Sequence, residues 1–85
     1  MIQNYVPLVR AIITASLFLE QSSDDEVDLH CAVRCMENMA DDLLKLSDAD
    51  QLALRAEIER IAEESGHPYR DGIYALPDQI GLIPK

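Results

Sequence analysis

Cys31 and Cys35 are the residues of this chain best equipped for chemistry, and His30 stands beside the first of them. Thiols and an imidazole are ligands for zinc, and paired thiols can close a disulfide. The spacing serves neither. Four residues apart on a helix, the two Cβ vectors run nearly parallel, which suits a disulfide poorly. A structural zinc site takes four ligands at recognisable spacing, and two cysteines with one histidine fall short of that set. The cysteines therefore read as small, semi-buried side chains on a border stripe with Asn38 and Asp42. His30 falls on the polar side with Arg34, Glu37, Asp41 and Lys45, and no neighbour in sequence would make it a catalytic base. No metal or cofactor is expected.

The carboxylates are plentiful, which makes each pair uninformative. Asp41 and Asp42, or Glu63 and Glu64, are ordinary helix surface. The cluster Asp24, Asp25, Glu26 and Asp28 lacks the alternating ligands, central glycine and distal glutamate of a calcium loop. It reads instead as the acid-rich start of a helix, where carboxylates meet the positive end of the macrodipole. A phosphate-binding loop is excluded because no glycine precedes Gly66. Acyl carrier proteins share this size and acidity, but neither Ser22-Ser23-Asp24 nor Ser47-Asp48-Ala49 has their Asp-Ser-Leu order. No nucleophile is paired with a base at an interpretable spacing. The chain is expected not to be an enzyme.

Charge narrows the partners. The 85 residues carry a net charge of −9. From Glu20 to Glu64 there are fourteen acidic against four basic side chains. That sign opposes binding to nucleic-acid phosphates or to anionic membranes. It favours a basic protein partner drawn in by electrostatic steering.

The elements that position these groups read as helices, in one domain over residues 1–85. The most apolar run is Val6 to Leu19, on a first helix expected over 4–21. Pro7 fits its first turn, and only Gln3, Arg10, Thr14 and Gln21 form a polar stripe. Roughly two thirds of its circumference is apolar, wider than the face of an ordinary surface helix. This helix is expected to be central in the bundle or to form a homodimer. It does not read as membrane-spanning, because Arg10 and Glu20 leave nine uncharged residues between them and a span needs about 20. The uncharged N-terminus does not read as a secretory signal, so a cytoplasmic location is expected.

A second helix is expected over 25–46, capped from the connector Ser22 to Asp25. Its core face would be Leu29, Ala32, Val33, Met36, Met39, Ala40 and Leu43, and Asp41 and Lys45 would pair at i,i+4. Ser47 is a good N-cap for a third helix over 48–65, with Leu46 as a hydrophobic staple, and Gly66 is a left-handed stop. Leu54, Ile58, Ile61 and Ala62 form the core face of that helix. Leu52 lies nearly opposite with Ala49, Ala53 and Ala56, flanked by Arg55, Glu59, Arg60 and Glu63. This second apolar strip either packs against the C-terminal tail or is offered to a partner. Tyr69, Ile73, Leu76 and Ile80 predict a short fourth helix over 68–75, which Pro77 should end. The fold expected is all-α: a compact antiparallel three-helix bundle with a short fourth helix and a Pro/Gly-containing C-terminal tail.

This layout resembles the small acidic all-helical immunity proteins of bacterial toxin–immunity pairs. The resemblance rests on the acidic turn Ser22 to Asp28, the helix Val33 to Leu46, and the helix start Leu46-Ser47-Asp48-Ala49-Asp50. It also rests on the closing Leu76-Pro77-Asp78-Gln79-Ile80-Gly81-Leu82. It implies a cytoplasmic, stoichiometric inhibitor that binds one toxin domain and occludes its active site. The contact residues expected are Glu37, Asp41 and Asp42 on the second helix, and Leu52, Ala56, Glu59 and Glu63 on the third, with Leu52 as the apolar anchor. The alternative is a regulatory adaptor or DNA-mimic antagonist of a nucleic-acid-binding protein.

Overall fold

The computed structural model describes residues 4–23 and 25–84. Gln3 of the expected polar stripe and Asp24 of the expected cap lie outside them. The described chain is all-helical: α1 (Val6–Gln21), α2 (Leu29–Leu43), α3 (Asp48–Ser65) and α4 (Arg70–Ile80), with no strand among the described residues. The radius of gyration, 12.9 Å, is close to the ~12 Å of a folded domain of this length. None of these helices is long and apolar enough to cross a membrane.

The centre of the core is α3 against α4, the most extensive helix pair in the molecule. Ile58 and Ala62 on α3 and Leu76 on α4 are completely buried. The expected α3 face of Leu54, Ile58, Ile61 and Ala62 is the buried one. From α1 only Val9, Ile13 and Ser16 are buried, while Leu8 and Phe18 face solvent. The first helix touches each of the other three but supplies only Val9 and Ile13 to the buried apolar cluster. Its broad apolar surface is half used.

Ser16 sits in that buried stripe with its hydroxyl unpartnered. A buried hydroxyl without a hydrogen bond carries its full desolvation penalty. Ser16→Ala is expected to stabilise the fold by about 1 kcal/mol, seen as a higher thermal midpoint in circular dichroism. A lower midpoint would show that the hydroxyl is satisfied in solution.

α2 differs from its expected bounds at both ends. It begins at Leu29 because Ser23 and Glu26 close a separate turn first. The Ser23 backbone N–H donates to Glu26 Oε1 (3.1 Å), and the Val27 N–H donates to the Ser23 carbonyl (3.0 Å). Asp28 then caps the helix, accepting from the His30 and Cys31 N–H groups. α2 ends at Leu43, so Lys45 lies beyond the helix, where i,i+4 geometry no longer applies. Lys45 pairs with Asp42 at 3.5 Å, not with Asp41. Only Ala32 of the expected α2 core face is fully buried. Met36, Met39, Ala40 and Leu43 are half-buried, and Leu29 and Val33 are exposed.

Ser47 caps α3 as expected, accepting from the Asp50 N–H. Gly66 ends the helix at φ 65° and ψ −175°. The positive φ agrees with a glycine stop, but the extended ψ sends the chain outward and does not continue a left-handed turn. α4 follows and runs through Pro77 to Ile80, where an end near Ala75 was expected. A proline inside a helix removes one hydrogen bond and costs about 3 kcal/mol. Here it sits in the last turn and is fully buried beside Leu76. Its carbonyl accepts both the Gly81 and Leu82 N–H groups, with Gly81 left-handed at φ 93°. Core packing and a closed C-terminus offset the missing donor.

Candidate functional site

Two surfaces carry the seven expected contact residues. On the outer side of α3, Leu52, Ala56 and Glu63 are exposed and Glu59 is half-buried. The C-terminal tail leaves Leu52 and Ala56 uncovered, because it is held elsewhere. Arg55, expected to flank this strip on the surface, is buried and grips the tail. Its Nε donates to the Ile83 carbonyl, and its Nη2 donates to the Leu82 carbonyl and to Asp78 Oδ1, each at 2.9 Å. Gln51, also buried, joins the same clamp. Its Nε2 donates to the carbonyls of Leu44 and Leu46, and its Oε1 accepts from the Ile83 N–H. The sequence does contain a signal for this pair. Gln51 and Arg55 extend the Leu54–Ile58–Ile61–Ala62 stripe at helical spacing, and polar groups on a core stripe must find buried partners.

Glu63 accepts a hydrogen bond from the Tyr74 hydroxyl (2.5 Å). That bond holds the phenol above its ordinary ionisation range, because a phenolate would lose the bond and face a carboxylate. The folded-state value is raised, so the contribution of this contact to stability is complete below the ordinary tyrosine range. It is lost as pH climbs through the raised value. Glu63→Gln is expected to bring the Tyr74 ring titration back down, as followed by its NMR resonances. An unmoved titration would mean that the contact does not persist in solution.

Glu37, Asp41 and Asp42 are exposed on α2. α2 and α3 scarcely touch; each packs instead on α1 and α4. The seven residues therefore do not form one interhelical face. Cys31 and Cys35 are free and exposed, not semi-buried, since α2 turns so little of its surface inward. No group of three or more His, Cys, Asp or Glu side chains able to hold a metal ion occurs among the described residues.

What sequence reasoning missed is a groove of about 360 Å³ alongside α2. Leu19, Leu29, Ala32, Val33, Met36 and Ala40 line it, with Glu20, Glu37 and Gln79 as its polar members. Burial against this apolar wall raises the Glu20 carboxyl above the usual carboxylate range. A second groove, about 480 Å³, lies where α1 meets the start of α3, lined by Tyr5, Leu8, Ile12, Leu46 and Ala53 among others, with Asp50 and Glu57. Glu57 is already engaged by Arg60, which lowers its pKa, and Arg60 also pairs with Glu64. Arg10 adds a bond to Glu64 at 2.9 Å. Of the two acids of the second groove, Glu57 is compensated within the chain, whereas Asp50 has no ion pair among the described residues. Glu20 and Glu37 have no ion pair among the described residues.

No protein-family model matches the chain, and no curated protein or solved structure is similar enough to count as a relative.

Proposed function

We propose that this chain is a non-enzymatic binding protein whose target is a basic protein. The first reading is a cytoplasmic immunity protein that seats itself on a cognate bacterial toxin domain and blocks its active site. The frame for that role would be an antiparallel helical bundle in which α4 packs on each of the other three helices and the tail closes one side. One observation supports the reading above the others: apolar surface lies open beside carboxylates that the chain does not neutralise itself. Of the described lysines and arginines, only Arg34 has no carboxylate within 4.0 Å. Glu20, Asp25, Glu37, Asp41 and Asp48 are left without an ion pair among the described residues. Rim charges of this kind govern association rate and partner choice, and apolar anchors supply affinity.

The test is a tagged pull-down from the native host with intact-mass analysis of what co-elutes stoichiometrically. Capture of one enzymatic domain, with its activity abolished at one-to-one mixing, is the expected result. A nucleic-acid-binding regulator in its place would establish the adaptor or DNA-mimic alternative. A homodimer joined through the open face of α1, with nothing else bound, would overturn both.

A further inference from the structure

We infer that the groove beside α2 is the seat of a single basic amphipathic helix contributed by the partner. This rests on the reading of the chain as a protein-binding protein and adds the mode of recognition. α2 has the most strongly amphipathic pattern in the chain, yet only its Ala32 is fully buried. Leu29 is 61% exposed and Val33 48%. Leu29, Val33, Met36 and Ala40 follow the 4-3-4 spacing of one helix face. From Leu29 to Ala40 that face runs roughly 17 Å at 1.5 Å per residue, enough for three turns of a docked helix. The opposite wall includes Leu19 at the end of α1.

Shape and charge select the occupant. An extended peptide gains affinity by adding to a sheet edge, and the described residues contain no strand. A trough between helices takes another helix, whose side-chain ridges fill it. The half-buried Met36 is adaptable to the shape of what enters. Among the described residues, Glu20 and Glu37 are the charged members of the lining, and none of its members is a cation. Arg34, one turn before Glu37, is not part of it. A docked helix with lysine or arginine beside its apolar stripe would pair with both carboxylates. A second copy of this chain would set its own net charge of −9 against them.

The experiment titrates the full chain with a fluorescent synthetic helix of about four turns, leucines at i, i+3, i+4 and i+7 and lysines elsewhere. A matched leucine–glutamate helix is the control. Saturable one-to-one binding of the lysine helix alone is expected. Val33→Asp and, independently, Leu29→Asp should each weaken it about tenfold or more. Both positions are solvent-facing, so the variants should keep the helical circular dichroism of the parent. Glu37→Lys should weaken binding and flatten its salt dependence. Equal binding of the glutamate helix, or indifference to both Val33→Asp and Leu29→Asp, would overturn the inference. Sensitivity to Leu52→Asp alone would also overturn it, because the docked helix would then lie on the outer side of α3. A homodimer dissociated by Val33→Asp would place a second copy in the groove and overturn it as well. The pull-down separates the two claims: a captured partner whose binding ignores Val33→Asp leaves the binding function standing and removes only the helix from this groove.

Discussion

Arg55→Ala is expected to destabilise the fold by about 3 kcal/mol, since bonds from a charged donor contribute roughly 1.5–3 kcal/mol each and do not add fully. In a domain of this size that lowers the thermal midpoint by roughly 12–24 °C. The guanidinium is 8% exposed and makes three bonds, two of them to consecutive tail carbonyls. Removing it strands the carbonyls of Leu82 and Ile83 at the edge of the core and frees the tail that carries buried Leu82. Asp78→Asn should cost under about 1 kcal/mol, because that carboxylate is 80% exposed and its attraction is screened by water. Arg55→Lys should recover only part of the loss, since an ammonium cannot present Nε and Nη donors in a fixed fork. Thermal unfolding measures the ranking, and amide exchange at Ile83 reports the tail directly. Equal losses at Arg55 and Asp78 would mean that the ion pair, and not the carbonyl grip, holds the tail.

That clamp marks where legibility in the sequence ends. The helices with local punctuation were readable: Ser47 starts α3 and Gly66 stops it, and both are single-residue signals acting on neighbouring backbone. The elements fixed by longer-range contacts were not. Ser23 and Glu26 spend an apparent capping pair on one turn, so the α2 start moves four residues downstream. Pro77 reads as a stop because local rules contain no term for its burial in the core. Periodicity likewise shows that α2 has an apolar face, without saying how much of that face a neighbour covers. Leu29 and Val33 therefore read as core and proved to be surface. The groove they line was invisible for the same reason, while the exposure of Leu52, Ala56, Glu37 and Asp41 followed directly from helical spacing.

The same distinction separates two apolar residues that the sequence ranks in the wrong order. Phe18 belongs to the most hydrophobic run of the chain, and Ile58 sits in a helix crowded with charge. Ile58→Ala is nonetheless expected to cost about 2–5 kcal/mol, a large share of the roughly 4–13 kcal/mol that stabilises a domain of this size. Ile58 is 0% exposed at the α3–α4 contact, where its side chain cannot be replaced by water and leaves a cavity. Phe18→Ala should cost under about 1 kcal/mol, as Phe18 is 55% exposed and faces away from the core. Urea unfolding of the two variants measures both values on one scale. If Phe18→Ala proves the more damaging, α1 organises the fold in solution, either through a different packing or through a second chain on its open face. If Ile58→Ala does, hydrophobicity of the segment was a poor guide, and what decides a residue's contribution is how completely its neighbours enclose it.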